Sequence, residues 1–413
     1  MVLALIKANL IDGTGRPPLA DSTVVIDNGV FTAVGTEVEY PAEAEVIDLH
    51  GLAVMPGLID CHVHLGGLTV GRPGRAIGKV SLGDMASFFW DYARNYARRR
   101  RLAIENGVTT IRSAGDLYPH ILRLRDRIAA GSLPGPKIVA PGPTITAPGG
   151  HPASTIYRSN RYIVENAIRQ IADAGAARDE VKRLAEGGVD CIKAIYSDID
   201  PMDTRHRVPR LPLDVLAALA DESHKHGLKL MVHTGSADET LDAVRVGADS
   251  IEHGLLPGGE SIQFGDKLIV AMLERHTYFV PTLATAWAYS QAYPDLFRAL
   301  KETVRRLHEA GVRIAAGTDS GSPGVVVGSG LHREMEMLVE LGMKPAEAVR
   351  AATANAADNL GKANQLGRIE SGMIADLVAI DGDPDQDISS TRNVRLVVQG
   401  GVVRVNRRTR RPD

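Results

Sequence analysis

Met55-Pro-Gly-Leu-Ile-Asp-Cys-His-Val-His64 is the stretch on which the reading of this chain turns. Residues 53–63 are mostly apolar, as in a strand buried on both faces. The run ends in His62-Val63-His64. Successive strand side chains point to opposite faces, so His62 and His64 share one. Two imidazoles side by side at a strand end make half of a zinc site. A bare His-x-His is more often a pair of polar residues where a strand meets solvent. Here Pro56-Gly57 breaks the chain just before the strand, and a glycine-rich loop follows directly. That context favours ligands.

The chain has 413 residues, enough for a large core and more than one domain. Charged residues make up 23% and the formal net charge is -3, so no general attraction to nucleic acid or to an anionic membrane is expected. No apolar run is long enough to span a bilayer. Residues 1–5 are apolar but too few for a signal peptide, and Lys7 follows them. The expectation is a cytoplasmic homo-oligomer acting on a small molecule. Cys61 and Cys191 are too few for a disulfide framework. Both lie beside candidate ligands, and both are expected as small buried hydrophobes.

Residues 1–54 read as short strands with turns between them. Residues 3–8 are apolar, 23–26 run into Asn28-Gly29, and 31–34 form the second arm of a hairpin. The far end is similar, with a strand at 375–380, a turn at Asp381-Gly382-Asp383-Pro384 and a hairpin at 394–405 around Gly400-Gly401. This predicts one small β-sandwich domain built from residues 1–54 and 363–413. The middle alternates strand and helix. After the first strand, strands are expected at 107–114, 137–145, 190–196, 229–234, 250–253, 278–283 and 313–319. Helices are expected at 84–105, 117–130, 178–186, 213–226, 237–246, 261–275, 296–310, 331–341 and 345–360. Eight strands, each followed by helix, fit a (β/α)₈ TIM barrel spanning residues 55–362.

Chemistry in such a barrel sits at the C-terminal strand ends. Strand one ends on His62 and His64. Strand four carries Lys193, strand five His233, strand six His253 and strand eight Asp319. Each has a bland explanation on its own. A strand-end histidine is usually just hydrogen-bonded, a lone lysine usually reaches for solvent, and Asp319 in Gly317-Thr318-Asp319-Ser320 can cap a helix. The coincidence decides: four histidines, one lysine and one aspartate fall at the correct ends of five strands. His224-Lys225-His226 is a decoy. It ends a helix before Gly227, where residues two apart do not face each other. Loops at 66–83, 151–161, 198–212 and 321–330 should ring the mouth. Among them Arg205, Arg207 and Arg210 suit an anionic group, although surface arginines are usually only solvated.

These residues resemble the metal motifs of the amidohydrolase superfamily. The carrying stretches are Pro56 through His64, Ile192-Lys193, Met231-Val232-His233, Ser250-Ile251-Glu252-His253-Gly254 and Ala316-Gly317-Thr318-Asp319. Leu331-His332-Arg333-Glu334 and the helix beginning Ala351-Ala352-Thr353 point to the branch holding imidazolonepropionase and the prolidase-like dipeptidases. The resemblance implies two divalent metal ions, zinc foremost. His62, His64 and Asp319 would hold the more buried ion, His233 and His253 the other, and an N6-carboxylated Lys193 would bridge them. An anionic carbamate beside two dications is favoured where an ammonium is repelled. Hydroxide held by the pair would attack a carbonyl carbon, with Asp319 moving the proton and His151 as a second polarising group. Some prolidase-like members carry a tyrosine directly after the strand-five histidine to hold a substrate carboxylate. Here that position is Thr234, and Tyr196 is the candidate substitute. Deaminases of the superfamily typically use one metal, lack the strand-four lysine and place a glutamate three residues after the strand-five histidine. This chain has Lys193, and Ser236 at the glutamate position. A non-catalytic scaffold would have lost ligands, whereas all six are present.

Overall fold

The structure is a computed structural model describing residues 2–66, 82–158, 160–201, 203–259 and 262–407. Most of the loop expected at 66–83 therefore lies outside the described residues. Both ends of the chain enter one eight-stranded sheet, formed by Leu3–Leu10, Leu19–Asp27, Val30–Gly35, Glu45–Asp48, Leu52–Pro56, Leu377–Asp381, Val394–Gln399 and Val402–Asn406. Leu3–Leu10 is its branch point. It pairs antiparallel with Leu19–Asp27 on one edge, and in parallel with Glu45–Asp48 and then Leu52–Pro56 on the other. The hairpins turn where expected. Asn28 and Gly29 have φ of 49° and 82°, and Gly400 and Gly401 have 57° and 76°, the positive values that a two-residue hairpin turn needs. Leu5, Phe31, Val54, Leu377 and Leu396 fill the core of this sheet.

The opening stretch is not one strand. It divides at Gly57 into Leu52–Pro56, paired antiparallel with Leu377–Asp381, and Leu58–Val63, paired in parallel with Val108–Ser113. Both halves are apolar because both are buried: Ala53, Met55, Leu58 and Val63 lie in the main core, and Val54 faces the core of the eight-stranded sheet. Gly57 makes the crossing. Its N–H donates to Asp376 O at 2.9 Å, and a Cβ there would overlap the Thr109 side chain.

The strands from Leu58–Val63 to Tyr278–Val280 pair in parallel. Leu58–Val63, Val108–Ser113 and Lys137–Val139 form one sheet. Thr144–Thr146, Ile168–Gln170, Cys191–Ile195, Lys229–Thr234, Ser250–His253 and Tyr278–Val280 form the other. The strand expected at 137–145 breaks at Pro141-Gly142-Pro143, since proline gives no N–H to a ladder. Both pieces still face Cys191–Ile195, through Asp190 N to Ala140 O at 2.8 Å and the Ala194–Ile145 pair. The eighth strand, expected at 313–319, is irregular. It bridges Phe279 through Ile314 and Val63 through Ser320, and Cys61 N donates to Ala316 O at 3.0 Å.

Helices alternate with these strands and carry recognisable ends. Asp173 caps Ala174–Glu186 by accepting from Ala176 N, and Ser236 caps Ala237–Val246 by accepting from Glu239 N. Pro294–Glu309 starts on proline and buries Leu300, Val304 and Leu307. The helix expected at 345–360 is two, Pro345–Ala351 and Ala354–Asn359. Among the described residues no helix is long and apolar enough to cross a membrane.

Gly57→Ala should force the β-branched, fully buried Thr109 to shift. A loss of about 1–3 kcal/mol is expected from overpacking, measurable by denaturant unfolding of the two proteins.

Candidate metal centre

Asp60 ties the first parallel strand to the irregular eighth segment. Its carboxylate accepts from Thr318 N at 3.0 Å and Thr318 Oγ1 at 2.7 Å. Burial pushes this carboxyl up to about 7. One residue on, Asp319 N donates to His62 O at 2.8 Å. These bonds bring ligand atoms of His62, His64 and Asp319 within 4.8 Å of one another. Asp319 Oδ1 stands 3.2 Å from His64 Nε2 and 3.6 Å from His62 Nε2.

The other imidazoles continue this cluster as a row of rings. Centroids lie 4.8 Å apart for His62 and His253, 4.7 Å for His253 and His233, and 5.3 Å for His233 and His151. Lys193, 2% exposed, sits on the strand paired with the one that carries His233. His253, Thr282 and Asp319 have φ of 66°, 50° and 55°. Such left-handed backbone is costly for these residues and tends to collect at functional sites.

Electrostatics prepares the cluster to donate lone pairs. Burial holds His62 and His233 well below the ordinary imidazole range, with the charge of Lys193 acting in the same direction. It takes His253 to about 4 and His151 to about 3. These rings are neutral at pH 7, as ligation requires. Burial also lowers the Lys193 amine to about 8. Asp319 goes the other way. Although burial opposes it, the surrounding imidazoles of His64, His62 and His253 hold its carboxyl well below the usual carboxylate range. Within the cluster, Asp319 Oδ1 and His233 Nε2 are fully buried without a hydrogen-bond partner among the described residues. A group left so is costly unless something else satisfies it. Imidazoles, a carboxylate and two unmatched atoms form a donor set that fits a divalent metal.

A family model described as the amidohydrolase family matches residues 53–404. The chain belongs to the amidohydrolase family. As an amidohydrolase it is an enzyme, a hydrolase of carbon–nitrogen bonds, as its motifs predicted. It is similar to ochratoxinase of Aspergillus niger, 26% identical over 94% of this chain and 83% of that one. It is also similar to imidazolonepropionase of Nocardia farcinica, 27% identical over 93% of this chain and 92% of the other. The crystal structure of a Xaa-Pro dipeptidase with bound methionine in the active site superposes with a TM-score of 0.83 at 27% identity, covering 98% of this chain and 100% of that one.

In this amidohydrolase the imidazoles are oriented by partners that the motifs do not announce. His62 Nδ1 lies 2.6 Å from Glu252 Oε2. Glu252 Oε1 accepts from Arg112 Nη2 at 2.6 Å and also bonds the Ser250 hydroxyl. Arg112 Nε donates to Cys61 O at 2.7 Å. A carboxylate paired with arginine only accepts, so the His62 proton sits on Nδ1 and Nε2 is left facing Asp319. His253 Nδ1 meets Thr282 Oγ1 at 2.8 Å, and His151 Nδ1 meets Thr155 Oγ1 at 2.7 Å. A signal for Glu252 and Arg112 did exist. Each is a charge inside a strand that reads as buried, and a buried charge needs a partner.

The two candidate substrate contacts have side-chain partners within the protein. Thr234 is fully buried with its hydroxyl on Thr240 Oγ1 at 2.8 Å. Tyr196 donates to Asp242 at 3.0 Å, and the Arg210 guanidinium covers its ring at 4.7 Å. Their hydroxyls are tied to the helix Ala237–Val246, which follows the strand Lys229–Thr234. His224 pairs with Asp249 at 2.9 Å, as suits a decoy. His332 and Glu334 are structural. The former reaches Thr391 Oγ1 and Asn106 O, and the latter accepts from Leu283 N and Ala284 N.

Glu252→Gln should leave His62 without a charged orienting partner. Metal affinity is expected to fall about 10–100-fold, read by zinc titration against a competing chelator. Unchanged affinity would show that Glu252 does not set the His62 ring.

Proposed function

We propose that this amidohydrolase is a binuclear metal-dependent enzyme that cleaves the amide C–N bond of a small molecule. One observation carries the proposal: five imidazoles, Asp319 and Lys193 meet at one end of the parallel strands, with unmatched buried atoms on Asp319 and His233. His62, His64 and Asp319 are assigned to the more buried ion, His233 and His253 to the second, and N6-carboxylated Lys193 to the bridge. Burial lowers the Lys193 amine to about 8, so a useful fraction is neutral near pH 7. That neutral nitrogen can bond the carbon of CO₂ and lose a proton to solvent, giving the carbamate.

Bound there, the metal pair supplies a water acidified to near neutral pH and a Lewis acid for the carbonyl oxygen. The chain does the rest. Asp319 Oδ2 accepts from Ser322 Oγ at 3.1 Å and Oδ1 stands 3.2 Å from His64 Nε2, so the carboxylate is held at the site where it would take a proton from the attacking water. Asp319 then returns that proton to the departing nitrogen. His151, at the end of the ring row, is assigned to polarise the carbonyl as a second group.

We also read the strands as a closed (β/α)₈ barrel over residues 55–362, with a β-sandwich made of 1–54 and 363–413. Hydrogen bonds from Cys61 to Ala316 and from Phe279 to Arg313 support closure. Zinc, a cytoplasmic setting and a homo-oligomeric state belong to the same proposal. Deamination is not favoured, because Ser236 is spent capping a helix.

Two measurements test this. Purified protein should hold close to two divalent ions per chain by elemental analysis, and Lys193→Ala should lose at least one. A single tightly held ion in both proteins would sink the binuclear assignment. Asp319→Asn keeps a ligating oxygen but cannot accept the proton at neutral pH. Its kcat on any amide substrate should drop about 10²–10⁴-fold with KM little changed, and near-full kcat with metal retained would move the shuttle to another group.

A further inference from the structure

The chain leaves the strand Tyr278–Val280 through Pro281 and enters the short helix Leu283–Ala288. Within four residues this turn touches two parts of the metal centre. Thr282 Oγ1 lies 2.8 Å from His253 Nδ1. Three residues on, Thr285 Oγ1 donates to Thr318 O at 2.9 Å and reaches Asp319 O at 3.3 Å. Among the described residues, backbone bonds between this strand and the irregular eighth segment end at Ala315 N to Phe279 O, 3.0 Å. Pro281 has no N–H to extend them. The Thr285 hydroxyl takes their place. It holds Thr318 from this side, while Asp60 holds it from the first parallel strand.

Thr282 is the N-cap of this helix, the position from which a threonine hydroxyl ordinarily accepts a backbone N–H. Here its backbone is left-handed, with φ of 50°, and it makes no such bond. With His253 Nδ1 engaged by that hydroxyl, Nε2 is the nitrogen left for a metal. The N–H groups that start the helix go to Glu334 instead, Leu283 N to Oε1 at 3.0 Å and Ala284 N to Oε2 at 2.7 Å. Glu334 has no exposure to water and, among the described residues, no lysine or arginine in salt-bridge contact. A buried carboxyl kept for two neutral N–H groups is expensive. It sits on the helix Ser329–Glu340, where the adjacent Arg333 covers the Trp287 ring at 5.3 Å. One helix therefore grips both ends of the other.

We propose that Glu334, which is structural in holding the start of this helix, is also a positioning residue for both metal positions. By taking over the cap it releases Thr282 to orient His253. It also fixes the helix from which Thr285 holds the backbone of Asp319. One buried carboxyl sets a ligand of each ion. Which ion each ligand serves rests on the binuclear reading.

The probe is zinc alone, titrated into metal-free protein against a competing chelator. Thr282→Val and Thr285→Val keep the side-chain shape and lose the hydroxyl. Each should weaken one ion about tenfold, the lower end of what partners of metal ligands contribute, and the two should weaken different ions. Glu334→Gln should weaken both, because the glutamine nitrogen cannot accept and one helix N–H is orphaned. Thr282→Ser and Thr285→Ser keep the hydroxyl and should hold the wild-type constants. Thermal melts of the metal-free variants run alongside. A lower melting temperature with unchanged zinc constants would mean that Glu334 serves only the fold, and overturns the assignment. So do serine variants that behave as the valines, or, with two ions bound, Glu334→Gln weakening one alone. Unchanged constants in both valine variants overturn it as well, whether or not Glu334→Gln folds. Counting ions in the unaltered protein keeps the two ideas apart. A single ion, weakened by Glu334→Gln and by one of the valine variants, sinks only the binuclear reading. Two ions that Glu334→Gln leaves unmoved sink only the role of Glu334.

Discussion

A carboxylate with no exposure to water, Glu252, stands between a buried guanidinium and the ring of His62. Isolated, that charge would be expensive, and removing one member of such a buried pair typically costs about 3–5 kcal/mol. Arg112 neutralises it and at the same time bonds the Cys61 carbonyl, so three parallel strands are tied together inside the molecule. The consequence for chemistry is a fixed tautomer. With the proton of His62 held on Nδ1, its Nε2 is left 3.6 Å from Asp319 Oδ1, and the neighbouring rings follow tilted or edge to face. Asp60, on the same strand as His62, has the matching role. It holds Thr318 so that Asp319 arrives with its backbone in the left-handed region. The site is assembled by buried polar contacts that the packed strands have no other means of satisfying.

Much of this was legible in the sequence. His62 and His64 could be paired because strand geometry puts them on one face, and the distant candidate residues could be named because they fall at or near strand ends in an alternating pattern. That both chain ends contribute hairpin strands could be inferred from turn chemistry at Asn28-Gly29 and Gly400-Gly401. What escaped was of two kinds. Apolarity does not say which core buries a residue, so the stretch from Ala53 to Val63 looked like one strand when Gly57 divides it between two sheets. Side-chain direction at a strand end is equally hidden. Tyr196 and Thr234 sit at plausible positions in the chain, but their hydroxyls go to Asp242 and Thr240.

The crossing at Gly57 also joins the two cores mechanically. Asp376, beside the strand Leu377–Asp381, accepts from Gly57 N and from Gly400 N, and pairs with Lys137 at 2.6 Å. The small sheet therefore braces the starting ends of the parallel strands. The site lies at their opposite ends, where His253, Thr282 and Asp319 have left-handed backbone. Rigidity at one end and strained ligands at the other is a sensible division for an enzyme that must hold its donors in place before substrate arrives.

Anomalous diffraction at the zinc absorption edge, from crystals of the zinc-loaded protein, reads the central claim directly. The account predicts two peaks, one among His62, His64 and Asp319 and one between His233 and His253, with continuous density extending Lys193 toward both. A single peak, or peaks away from these side chains, would contradict it.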